Sequence, residues 1–248
     1  MDTRVLRHSQ IIILGVCIGV ATIGASVILA QAFLRVTRLT KEVITVTGSA
    51  NQQIASDWIN WSATVTVRDP DLVKASQQLG AQFGALRKYL LEQGVAESEL
   101  TVYAVAVQRR YRRDQYGNDT DEFIEYALSQ TVAVNSLNVA GITRVSREVT
   151  GLMEQGIEIV SAAPSYFYRN LDGLKVEMLA RATENAKQRA EQMARAAGNR
   201  IGLLRSARMG VFQITPVTST DVSDYGVNDT ASWEKKVTAV VSASFAIE

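Results

Sequence analysis

The chain has 248 residues and a formal net charge of +1, a length that admits one large domain or two small ones. Residues 1–41 hold five of the 26 basic residues and one of the 25 acidic ones, so the remainder carries 21 against 24, about −3, which argues against a nucleic-acid-binding face. The only cysteine is Cys17 and the only histidine His8, which excludes an intrachain disulfide and, from residues 42–248, thiol nucleophiles, histidine-based triads and Cys/His zinc sites.

Ser9 to Leu34 is a run of 26 residues without a charge, flanked by Arg4 and Arg7 and by Arg35 and Arg38. About 20 apolar residues cross a bilayer, so residues 1–34 are read as an N-terminal transmembrane signal-anchor. Ala30-Gln31-Ala32 has the form of a signal-peptidase site and gives a second reading, cleavage after Ala32. The stretch exceeds the usual signal-peptide core, and retention is the expectation. Gly15 and Gly19 form a G-x-x-x-G, the candidate site for a transmembrane helix contact. A short linker, 35–41, leads to one domain over 42–248, held close to the membrane surface. Long C-terminal domains translocate largely regardless of nearby charge, which places this one outside the cytoplasm.

Glu42–Ala50 reads as a strand with Ile44, Val46 and Gly48 on one face. In Asp57–Arg68, Ile59, Trp61, Ala63, Val65 and Val67 alternate strictly with polar residues and Trp58. Asp69-Pro70-Asp71 supplies a cap and a proline for the next helix, whose apolar face is Leu72, Ala75, Leu79, Phe83, Leu86 and Leu90. Strands at Thr101–Arg113 and Glu122–Asn135 flank the polar loop Asp114–Asp121 as a hairpin. A helix at Val139–Gln155 and a strand at Gly156–Arg169 follow.

Leu171–Ala197 is the longest amphipathic helix, and the rest of the domain is organised around it. Its stripe is Leu171, Leu174, Met178, Ala182, Ala186, Ala190, Met193 and Ala197, at steps of three and four. Four alanines among these eight positions predict close approach to a flat surface, a sheet. Strands near Met209–Thr215 and at Lys235–Ile247 enclose the polar loop Pro216–Ser232. The elements spell strand–helix–strand–strand twice, joined by the Val139–Gln155 helix. The expected class is α+β: mostly antiparallel sheet covered by three helices, in two lobes.

The strand Val43-Ile44-Thr45-Val46-Thr47-Gly48-Ser49-Ala50 resembles the opening of the SIMPL domain, also called domain of unknown function 541. Gly156-Ile157-Glu158-Ile159 leading to Ser165-Tyr166-Phe167-Tyr168, and the helix closing at Ala197-Gly198, are similar to later parts of that family. The resemblance runs from Glu42 to the C-terminus. It implies a bacterial envelope protein, exported or anchored on the periplasmic side of the inner membrane, with relatives linked to oxidative-stress defence and one that assembles into large rings. A eukaryotic member associates with a kinase in inflammatory signalling. The family has no agreed catalytic residues, so the resemblance transfers none.

The remaining motifs have plain readings. Arg109-Arg110-Tyr111-Arg112-Arg113 is basic, but alternate strand residues face opposite ways, so it reads as a solvated hairpin end. Asp119-Thr120-Asp121-Glu122 lacks the spacing of a calcium loop and suits turn chemistry. In Tyr166-Phe167-Tyr168, alternation buries either Phe167 or the tyrosines. No catalytic, cofactor or metal site is expected, and no nucleic-acid partner. The expected function is a non-enzymatic, membrane-anchored envelope protein that self-assembles as a structural or stress-related interaction module. The alternatives are a small-molecule or lipid-binding protein and a hydrolase of unknown substrate. The Asp57–Val67 strand has no charge between Asp57 and Arg68, so it is expected to be poorly protected against edge pairing with a second copy.

Overall fold

The computed structural model describes residues 15–33 and 43–248, and at Asp119 the backbone alone. Expectations for Ser9–Leu14 and for 34–42 lie outside the described residues. Helix α1, Gly15–Phe33, has 19 residues with a mean hydropathy of 2.0 and no buried residue in its apolar window. At 1.5 Å per residue its length matches a hydrocarbon core of about 30 Å. By length and composition it is able to cross a membrane.

Beyond α1 the chain is α+β, as its patterning predicts. The strands are β1 (Val43–Ala55), β2 (Trp58–Asp69), β3 (Leu100–Val102), β4 (Ala106–Arg113), β5 (Asp119–Ser136), β6 (Ile159–Ser161), β7 (Ser165–Phe167), β8 (Ile201–Met209), β9 (Gln213–Pro216), β10 (Val227–Asn228) and β11 (Glu234–Ile247). The helices are α2 (Leu72–Glu92), α3 (Val139–Glu148) and α4 (Leu171–Ala196). They form two compact units. One gathers 43–50, 179–210 and 240–248 after α1, and the other gathers 51–178 and 211–239.

The larger unit is built on β2. Ile59, Trp61, Ala63, Val65 and Val67 are at most 5% exposed and meet Ala75, Leu79, Phe83, Leu86 and Leu90 of α2 and Val139, Ile142 and Val145 of α3. A period of two on the strand and of 3.6 on the helices thus faces one core. The other face of the sheet is polar, with Thr64 and Thr131 hydroxyls 2.8 Å apart and Asn60 Nδ2 donating to Asn135 Oδ1 at 2.6 Å. Asp71 caps α2, its Oδ1 accepting from the Val73 and Lys74 amides. Leu72, expected on the buried face, is 42% exposed, because a residue in the first turn precedes the stretch that reaches the sheet.

β2 is not an edge. It pairs antiparallel with β5 along Ile59–Asp69 and, on its other side, with β6 and β7. Its lack of charge reflects a central position, and the expected open strand must be sought elsewhere. The expected strand Thr101–Arg113 is two strands. Val102 faces Val132 and Ala106 faces Ser129, so four steps on one side match three on the other, a bulge. Gly156–Arg169 is also interrupted, between β6 and β7 at Ala162-Ala163-Pro164, where proline cannot donate to a ladder. The helix expected over Val139–Gln155 turns 3-10 from Val149 and stops at Gly156, whose φ is +80°.

In the smaller unit, α4 lies against β1 without intervening side chains. A Cβ on Gly48 would overlap the Ala182 carbonyl oxygen and the Ala186 amide and stand 2.7 Å from the Ala186 Cα. The alanine stripe thus produces the close approach it predicts. Its end differs from expectation: Met193 is 54% exposed and Ala194 is buried. The buried row is Leu174, Met178, Ala182, Ala186, Ala190 and Ala194, always four apart. Each step of four turns about 40° beyond a full turn, so the row winds around the helix and leaves Met193 behind. Asn185 Oδ1 accepts from the Ser49 amide and Arg189 donates to the Thr47 carbonyl, fastening the helix to β1. β8, which the patterning missed, pairs antiparallel with β11 through Ile201↔Ile247 and Met209↔Val241.

Candidate interaction surface

β4 is an edge. Its one partner among the described strands is β5, and all eight of its residues are exposed. The arginines at its far end are occupied as the hairpin reading expects: Arg110 lies 4.0 Å from Glu125, and Arg112 lies 3.2 Å from Glu122. Asp114 closes the tip by accepting from the Tyr116 and Asn118 amides, with Gly117 at φ +88°. Those bonds hold the Asp114 carboxyl below its ordinary range. Thr120 donates to the Arg112 carbonyl, so the acidic run serves the turn; the side chain of Asp119 lies outside the described residues.

The near end of the same edge carries no charge. Val107 is 54% exposed and is followed by Gln108, and exposed Tyr103 and Val105 lie just before β4, in the bulge after β3. Charged residues are a usual device for blunting an edge, and here they protect only the half from Arg109 onward. Exposed Phe123 and Ile124 of β5 extend the apolar area, with Tyr111 edge-on to Phe123 at 6.2 Å between ring centres.

A second feature surrounds Tyr166. Of the two alternations open at the sequence level, Tyr166 is buried and Phe167 exposed. The Tyr166 hydroxyl lies 3.1 Å from Thr143 Oγ1, and its amide donates to the Thr230 carbonyl at 2.8 Å. Its own carbonyl accepts from Lys235 Nζ at 2.6 Å, and a second bond from Nζ reaches the Asp229 carbonyl. Lys235 is 3% exposed. Burial pushes its ammonium below the ordinary 10.5, with the charge of Asp229 pulling the other way. A cavity of about 70 Å³ lies here, lined by Tyr166, Tyr168, Ile214, Asn228, Thr230 and Lys235 among others. The sequence reading starts the inward row of the last strand at Val237. Lys235 stands two positions earlier, on the same face, and that period-two position is the signal that marks it as buried.

The comparison with known families now bears on both features. The model of the SIMPL family, described as a protein of unknown function (DUF541), matches residues 44–245. The chain belongs to the SIMPL family. No curated protein matches it. The SIMPL match takes in β4, the Tyr166 cavity and α4, and α1 lies before it. Gly15 and Gly19 stand on α1, and a Cβ on either would meet nothing within 4 Å.

Proposed function

We propose that this chain is a membrane-anchored SIMPL protein of the cell envelope that works without catalysis, as a self-associating structural or stress-related module. In this reading α1 is retained as a single span and the SIMPL domain stands on the periplasmic side of the inner membrane. The observation that carries self-association is the uncharged start of the edge strand β4 at Ala106–Gln108, whose outer side has no partner among the described strands. Anchoring supports it, since every copy is held at one height and orientation, which raises local concentration and favours rotation about the membrane normal. Gly15 and Gly19 supply a second surface, within the bilayer.

Light scattering on the full-length protein in detergent tests this. The wild type is expected to be an oligomer at micromolar concentration and moderate salt. Val107→Lys places a charge on the open edge and is expected to dissociate it if the domain makes the main contact. Gly15→Leu with Gly19→Leu dissociates it if the span does. A monomeric wild type overturns the proposal.

A further inference from the structure

The segment 217–226, between β9 and β10, forms no helix or strand, yet side chains from the strands beside it hold it in place. Gln213 donates to the Ser223 carbonyl and accepts from the Val227 amide. Lys236 Nζ donates to the Ser219 carbonyl at 2.7 Å, and the Ser219 hydroxyl donates to Asp221 Oδ2. A loop pinned in this way presents its tip at little further cost in conformational entropy. The tip carries Val222 and Tyr225, 80% and 97% exposed, with Asp221 and Asp224 beside them. A cleft at β4 has the opposite charge. About 500 Å³ in volume, it is lined by Gln108, Arg109, Arg110, Tyr111, Arg113 and Ile124, with no carboxylate among the described lining residues. Glu125 stands 4.0 Å from both Arg68 and Arg110, one negative charge shared by two guanidinium groups. Cleft and loop belong to opposite edges of one sheet. β4 pairs with β5, β5 with β2, and β2 with β7, whose Tyr166 amide donates to Thr230 where the loop returns. The loop of the same chain does not line the cleft.

We propose that the cleft at β4 receives the 221–225 loop tip of a second copy of this chain, with Tyr225 entering beside Tyr111 and Ile124 and the two aspartates facing Arg109 and Arg110. This inference rests on the self-association proposed above and names the surface that meets the β4 edge. Because the complementary surfaces stand on opposite edges of the sheet, the contact runs head to tail. Charge of opposite sign on the two surfaces sets which parts meet, and holding both copies on one membrane raises the effective concentration at which so small a contact forms.

Light scattering on the full-length protein in detergent tests this. Three variants are expected to weaken association about 10-fold or more while keeping the wild-type melting temperature: Tyr225→Ser, Arg109→Glu with Arg110→Glu, and Asp221→Arg with Asp224→Arg. The two charge-reversed proteins mixed in equal amounts are expected to associate again, since the acidic tip of one meets the basic cleft of the other and the reversed pair is also matched. Should a charge reversal lower the melting temperature, Tyr225→Ser reads the same contact alone, because that side chain is 97% exposed. An oligomeric wild type whose association is unchanged by Tyr225→Ser overturns the inference and leaves self-association standing. So do charge reversals that each dissociate the protein and stay apart when mixed. Dissociation by the arginine reversal alone, with both loop variants still associated, assigns the cleft to a different anion and likewise overturns it. A monomeric wild type overturns both proposals, so the two failures are distinguishable.

Discussion

At the scale of single residues, the positions that matter most are those where nothing more fits or where a charge is out of place. Gly48 admits the backbone of α4 only because it has no Cβ. Gly48→Ala is therefore expected to destabilise the protein by about 1–3 kcal/mol, as is Ala186→Leu on the facing helix. Lys187→Ala, on the exposed side of the same turn, should change stability by less than about 0.5 kcal/mol. Chemical denaturation of the three variants checks the ranking, and equal midpoints would overturn the placement. Lys235 makes a pH prediction. Its folded value is lowered from 10.5, so between that lowered value and 10.5 the unfolded chain binds more protons and stability rises with pH. The penalty is fully present below that window. Wild type should accordingly gain on Lys235→Met as the solution is made alkaline, read from denaturation midpoints across that range. For Asp114 the sign reverses: its contribution is present above the ordinary carboxyl value of 3.8 and lost as pH falls through the lowered one. The Tyr116 and Asn118 amide resonances should titrate with a midpoint below 3.8.

At the scale of elements, periodicity carried most of the fold. The alternation in β2, the caps of α2 and the alanine row of α4 each encode their own burial, and each is visible without neighbours. Asp71→Ala should cost about 0.5–2 kcal/mol for the same reason, since the capping bonds are local. What could not be read was anything fixed by a partner strand. The bulge between β3 and β4 exists because β5 offers three residues where they need four. β8 is exposed along Leu203–Met209 and so lacks the alternation that betrays a half-buried strand. β2 looked unprotected for want of charge, yet a strand covered on both sides needs none. The open edge was β4, whose arginines read as a solvated hairpin end and left the uncharged residues beside them unremarked. The cavity at Lys235 was illegible for a like reason, because a lone lysine beside a polar loop gives no sign that Tyr166 will arrive above it.

At the scale of the whole molecule, the distribution of charge and apolar surface divides the chain into a segment suited to lipid and a folded part suited to water. If α1 is retained, the intact mass of protein taken from membranes should include residues 1–32; a mature terminus at Phe33 would show cleavage instead. One pairing has a consequence for how such a chain is made. β1 precedes every other described strand, and its partner is β11, with Thr45 and Ser244 hydroxyls joined across 199 positions of sequence. Every intervening residue must be synthesised before that ladder can close. The smaller unit is therefore barred from premature folding during synthesis. The delay is written into strand order, and it would suit a chain that crosses a membrane before it folds.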